Sequence, residues 1–184
     1  GTEHFGKWTW DTDNHFGIRN LVYYVGYAMV EQYYKTAGDK AAAIKFLVEM
    51  DYNDSTSANQ FVNELGYFDR PVEEYLAKFQ ANRPQVTQVT QFKNNAVNID
   101  PDLKEITFHF SKPLNIYLKN TNLGPLGKDF VPRIEEATTA EDGLSVTYQV
   151  SLEAGRKYQF TLGNGYRTDN GYGLIPYTLT FTTH

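Results

Sequence analysis

Apolar positions along this chain change their spacing once, at Asn82-Arg83-Pro84. Before that point they recur every three or four residues, and after it every second residue. From residue 17 to residue 38, Ile18, Leu21, Val22, Val25, Ala28, Met29 and Tyr33 fall on one face of a predicted helix. Gly38 and Asp39 close that helix and cap the next, where alanine favours helix and Ala43, Ile44, Leu47 and Val48 form the expected inward stripe. A third helix is predicted to start near Ser57, whose hydroxyl caps while Gln60 completes a capping box; Phe61, Val62 and Leu65 follow, and Gly66 ends it. Asp69 then precedes Pro71 in the first turn of a fourth helix carrying Val72, Tyr75, Leu76 and Phe79. Gly26 sits in mid-helix, where glycine costs roughly 1 kcal/mol relative to alanine, so something is expected to pack close against it, another helix or a ligand.

Asn82-Arg83-Pro84 ends the fourth helix, because proline disfavours helical geometry in the residue before it. Val86, Val89 and Phe92 open a first strand, followed by turns at Asn94-Asn95 and Asp100-Pro101. Residues 106–110 then alternate apolar with polar, as a strand with one face on a core requires. Further strands are predicted at residues 116–118, 131–134, 144–150, 158–162 and 177–182, with turns at Asp142-Gly143, Ala154-Gly155 and Asn164-Gly165. About seven short strands in this span indicate a Greek-key β-sandwich. The expected fold is therefore α+β in two domains: a small all-α helical domain over residues 1–82 and an all-β Ig-like sandwich over 83–184. The short link between residues 80 and 85 predicts a tight, partly buried junction.

Charge separates the halves too. Up to Asn82 there are 12 acidic and 7 basic side chains, net −5, and from Arg83 onward 10 of each. Neither half has the basic surplus that phosphate backbones require, which excludes nucleic acid as a partner. No apolar run approaches the ~20 residues of a membrane span, and no signal peptide pattern is present. Gly1 ahead of Thr2-Glu3 reads as a residue left by tag removal, which leaves room for a targeting segment or a whole domain upstream. The absence of cysteine excludes disulfides, thiolate zinc sites and a cysteine nucleophile.

Candidate chemistry concentrates near the start, in Trp8, Trp10, Asp11, Asp13, Asn14 and His15. Indole faces beside carboxylates suit a sugar, whose apolar faces stack while its hydroxyls are bound. Asp11, Asp13 and His15 could instead converge on a divalent ion. The plainer alternative has the tryptophans folding back over the helices and Asp13 or Asn14 capping the first of them. In the second half, His109 lies on the solvent side of its strand, and Ser111 has no His-Asp pair placed to activate it. The loop Tyr166-Arg167-Thr168-Asp169-Asn170-Gly171-Tyr172 is polar and aromatic enough to touch a ligand, or is an ordinary hairpin excursion.

Two resemblances bear on these patterns. The run from Gly17 to Tyr34, with Asp39-Lys-Ala-Ala-Ala-Ile and Gly66-Tyr67-Phe68 after it, resembles the helical C-terminal part of bacterial zinc peptidases of the gluzincin type, over about fifty residues. That resemblance implies that Tyr23, Tyr24 or Tyr27 lines a substrate cleft or steadies an oxyanion. The chain itself contains no His-Glu-x-x-His, the pair of imidazoles one helical turn apart that holds zinc and activates its water. No cofactor is expected here, and zinc only if an upstream domain supplies that motif. The second half, with Phe110-Ser111-Lys112-Pro113, Gly155-Arg-Lys-Tyr158, Asp169-Asn-Gly171 and Phe181-Thr-Thr183, resembles the bacterial Ig-like domain of the S-layer-associated (SbsA-like) type. Such domains extend surface proteins or sit beside catalytic ones, so the resemblance implies support or binding.

Three functions stay open on these grounds. The first is a non-catalytic exported, periplasmic or cell-surface accessory fragment. The second is the C-terminal portion of a secreted zinc metallopeptidase whose catalytic part lies upstream. The third is a carbohydrate- or peptide-binding module using Trp8, Trp10, Asp11, Asp13, Tyr23, Tyr24 and Tyr27. The partners expected are a peptide or glycan ligand, or an upstream catalytic domain, and the isolated chain is not expected to be an enzyme.

Overall fold

Helix α1 (Leu21–Thr36) starts later than its apolar period suggests, because Asn20 takes a left-handed conformation at φ 61 and its side chain makes no cap bond. Ile18 is therefore outside the helix and exposed. The computed structural model describes residues 8–12 and 14–184. At the far end of α1 the Lys40 ammonium donates to the carbonyls of Tyr34 (2.6 Å), Lys35 (2.9 Å) and Ala37 (2.9 Å), satisfying groups that a helix terminus leaves open.

Helix α2 (Lys40–Glu49) is capped as expected, with Asp39 accepting from the Ala41 and Ala42 amides. Helix α3 (Ser55–Leu65) is capped one turn earlier than expected, by Asp54 accepting from the Thr56 and Ser57 amides. Ser57 instead donates its hydroxyl to Asp54 at 2.5 Å, and Gln60 reaches forward to Glu64. A carboxylate wins this position over a hydroxyl because it also meets the positive end of the helix dipole. Gly66 ends α3 at φ 61. Helix α4 (Val72–Asn82) begins with the Val72 amide donating to Asn63 Oδ1 at 2.8 Å.

The helical apolar stripes are only partly covered. Tyr33, Phe46 and Phe61 form a three-ring cluster with centroids 5.2–5.8 Å apart, and Gln32 Nε2 ties α1 to the Leu65 carbonyl. Ala43 and Phe61 are buried, whereas Val22, Ile44, Val48, Tyr75 and Leu76 are exposed, against the expectation that they face inward. Gly26 also departs from expectation, since a Cβ there would meet nothing within 4 Å. The chain divides into two compact units, residues 1–81 and 82–184.

The second unit is an Ig-like Greek-key sandwich of eight strands: β1 (Val86–Val89), β2 (Ala96–Ile99), β3 (Glu105–Phe110), β4 (Thr121–Leu123), β5 (Arg133–Thr139), β6 (Ser145–Ser151), β7 (Lys157–Leu162) and β8 (Tyr177–Thr183). One sheet has the order β1-β3-β6-β5 and the other β2-β8-β7-β4. The period-two residues Ile106, Phe108, Phe110, Val146, Tyr148, Val150, Tyr158, Phe160 and Leu162 all point into one core. Phe160 meets Phe108 and Tyr148 of the facing sheet at 5.9 and 5.5 Å. Burying such aromatic surface is the dominant stabilising term of the sandwich.

Three strand expectations are corrected. Residues 116–118 form a turn and the strand lies at 121–123, because Asn115 Oδ1 accepts from the Tyr117 amide and bends the chain there. The strand expected at 131–134 begins at Arg133 and runs on to Thr139, paired with β6. The unforeseen β2 pairs in parallel with β8, and the left-handed Asn95 and Asn98 on and beside it disguise it as a loop in the sequence. At the start of this unit Arg83 donates to the Gly173 and Leu174 carbonyls at 2.8 and 2.7 Å, and the Ile175 amide donates to the Pro84 carbonyl.

Candidate functional site

The tryptophan segment is pinned beside α1 through backbone: the Asn20 amide donates to the Thr9 carbonyl at 3.2 Å, and Thr9 is buried. Asn14 does not cap a helix. Its Nδ2 donates to the carbonyls of Asp11 (3.1 Å) and Ile18 (2.8 Å), while its Oδ1 accepts from the Phe16 amide (3.0 Å), so it organises the loop that leads to α1. Trp8 is partly exposed and Trp10 is 70% exposed, so the indole of Trp10 does not fold back over the helices. Asp11 is exposed, and Asp13 lies outside the described residues. His15 packs edge-on against Phe16 at 5.1 Å. Among the described residues no three His, Cys, Asp or Glu side chains are grouped to hold a metal ion.

Tyr23, Tyr24 and Tyr27 project from α1 with 72%, 72% and 63% of their surface exposed. Positions 23, 27, 30 and 34 are spaced as one helical face, so Tyr23 and Tyr27 continue into Val30 and Tyr34, both also exposed. The Tyr27 hydroxyl donates to Glu31 Oε1 at 3.3 Å, and Glu31 pairs with Lys35 at 2.9 Å. The hydrogen bond from Lys35 holds the Glu31 carboxyl below the usual carboxylate range. This face presents ring surface and hydroxyls to solvent.

The Ig-like unit carries a second polar concavity. Asn82, Lys112, Pro113, Thr168, Asp169, Asn170 and Tyr172 line about 400 Å³ of open space. The loop is fixed by Asn115, whose Nδ2 donates to Asp169 Oδ1 and whose amide donates to the Arg167 carbonyl, both at 2.8 Å. The sequence marks the 166–172 loop as polar and aromatic, and Asn82 and Lys112 come beside it only in the folded chain.

The remaining polar candidates serve the fold. Ser111 Oγ accepts from the Gln85 amide at 3.0 Å, and His109 Nε2 lies 2.7 Å from Thr90 Oγ1. The hydroxyls of Tyr166, Tyr148 and Thr121 form a chain with 2.7 Å links. Burial pushes the Tyr148 and Tyr166 hydroxyls up from the ordinary phenol range, so both stay protonated and neither is an acid or base near neutrality.

Residues 80–183, more than half of the chain, match the bacterial Ig-like domain. The chain belongs to that family. The match starts at residue 80 and leaves the earlier helices outside it. Among solved structures, the chain is similar to the S-layer protein rSbsC(31-844), at 18% identity over 89% of this chain and 22% of that one, TM-score 0.40. It is similar also to the N-terminal part of the bacterial S-layer protein SbsC, at 17% identity over 89% of this chain and 39% of that one, TM-score 0.40. PcoC, a methionine-rich copper resistance protein from Escherichia coli, matches at 15% identity over 55% of this chain and 99% of that one, TM-score 0.42. This bacterial Ig-like chain thus spans well under half the length of the S-layer chains it matches. No curated protein matches the sequence. Among the described residues no helix is long and apolar enough to cross a membrane.

Proposed function

We propose that this chain is a non-catalytic accessory or binding part of an exported or cell-surface bacterial protein. The observation that carries the reading is the bacterial Ig-like domain over residues 80–183. The exposed Trp10, Tyr23, Tyr24 and Tyr27, with Trp8 and Asp11 beside them in the sequence, are the groups through which the helical unit holds a peptide or glycan. A contiguous exposed aromatic face of this kind suits a contact surface. The purified chain tests this on glycan and peptide arrays. Binding that falls in a Trp10→Ala, Tyr23→Ala, Tyr27→Ala variant supports it. Mass-spectrometric turnover of any array component, or a signal the variant leaves intact, sinks it.

A second reading takes the helical unit as the tail of a secreted zinc peptidase whose metal-bearing part lies upstream. The uncovered α1 face favours it, since Tyr23, Tyr27, Val30 and Tyr34 would pack against such a part. The coding sequence ahead of Thr2 distinguishes the two readings, because a His-Glu-x-x-His motif there would select the peptidase.

A further inference from the structure

A groove of about 360 Å³ runs between α2 and α3 in the helical unit. Phe46, Met50 and Phe61 form its apolar part, and Glu49, Asp51 and Glu64 bring three carboxylates to it. The rings of Tyr33, Phe46 and Phe61 brace one another, so this aromatic floor is held in place by the packing of three helices. Phe61 is buried but Phe46 is 42% exposed, which leaves one ring open to an occupant. No lysine or arginine is among the lining residues. Gln60 Nε2 donates to Glu64 Oε1 at 2.7 Å and the Asn53 amide donates to Asp51 Oδ1 at 2.9 Å, and neither contact brings a positive charge.

We propose that this groove docks a basic peptide segment of a partner protein, with an arginine or lysine side chain laid into it. The chemistry selects that occupant. An Arg or Lys stem buries along apolar surface while its head stays among polar groups, and a cation is attracted to an aromatic face. Here the stem lies on Met50, the head approaches the open face of Phe46, and Glu49, Asp51 and Glu64 accept its hydrogen bonds. An acidic segment would set like charges against Glu49, Asp51 and Glu64. The excess of 12 acidic over 7 basic side chains up to Asn82 adds a wider field that draws a basic partner in. The volume is in the range of ligand clefts, roughly 300–1,000 Å³, and the groove is open along one side, so a chain can lie across it. This surface is lined by α2, α3 and the turn between them, and none of the exposed tyrosines Tyr23, Tyr24 and Tyr27 is part of it.

The intact chain is titrated against a fluorescein-labelled peptide of alternating arginine and alanine, followed by fluorescence anisotropy. Saturable one-site binding is expected, about tenfold weaker in a Glu49→Gln, Asp51→Asn, Glu64→Gln variant, as three rim charges of modest individual worth imply. A Glu105→Gln, Glu135→Gln, Glu136→Gln variant loses the same net charge in the Ig-like unit and is expected to bind like the parent. Far-UV circular dichroism shows whether either variant still folds, and amide NMR shifts confined to residues 46–64 on adding peptide to the parent chain report the site without any variant. Absence of binding, equal weakening in both variants, amide shifts elsewhere only, or equal affinity for spermine would each overturn the proposal.

Discussion

One methyl group added at Gly143 tests how closely the turn between β5 and β6 is wedged against the core. Gly143 is buried at φ 69, and a Cβ there would stand 2.4 Å from the Leu114 carbonyl oxygen and 2.9 Å from the Leu114 nitrogen. Leu114 cannot retreat easily, because its amide donates to the Gly143 carbonyl at 2.9 Å and its side chain is buried in the core cluster. The left-handed conformation alone costs an L-residue about 1–2 kcal/mol. Overpacking against fixed backbone adds about 1–3 kcal/mol, so Gly143→Ala is expected to lose about 2–5 kcal/mol in all. Gly155 supplies the control, with φ 66 and nothing within 4 Å of a Cβ, so Gly155→Ala bears only the conformational part, about 1–2 kcal/mol. Urea unfolding of the intact chain, followed through the methyl NMR signals of Val146, Leu162 and Leu179, reads the Ig-like unit directly. Equal losses at the two glycines, within about 0.5 kcal/mol, would show that the close approach to Leu114 contributes nothing.

Three further outcomes follow from the same geometry. Gly26→Ala, on an exposed stretch of α1 where a Cβ meets nothing, should stabilise the helical unit by about 0.5–1 kcal/mol, read by urea unfolding through Trp8 and Trp10 fluorescence; a loss would mean that something packs there after all. Asp54 has its carboxyl held below the usual range by the Ser57 hydroxyl and then the Thr56 amide. The unfolded chain therefore takes up this proton first, so the contribution is complete above the ordinary Asp value of ~3.9 and fades as pH falls through the lowered one. Acid titration of the helical unit should show this loss, and Asp54→Asn should flatten it. Phe160→Ala, at a fully buried ring between the sheets, should destabilise the Ig-like unit by about 3–5 kcal/mol in chemical denaturation, while Val97→Ala on an exposed site should stay within about 0.5 kcal/mol.

How far the sequence disclosed these features depended on which residues have one dominant environment. The alternation through Phe108, Tyr148 and Phe160 was legible because one side of each strand is wholly buried. Strand β2 was not, since its ladder forms with β8 more than eighty residues away while Asn95 and Asn98 present turn chemistry locally. Helical spacing identified which residues share a face, but it could not say whether anything covers that face. Ile44 and Val48 share a stripe with Ala43 and are nevertheless exposed. The cap of α3 shows competition of another kind: Asp54 and Ser57 both suit the role, and the carboxylate takes it. At the candidate sites, exposure of Trp10 and the tyrosines was not readable from spacing. The α2–α3 groove was also invisible, because its carboxylates and rings come from positions 46 to 64 that converge only after the helices pack.

Protease shaving of intact cells that make this protein tests the central claim most directly, with released peptides sequenced by mass spectrometry. An exported or surface accessory part should yield peptides from residues 83–184 while cytoplasmic marker proteins stay intact. Recovery of the chain solely from the cytoplasmic fraction, untouched by external protease, would contradict it.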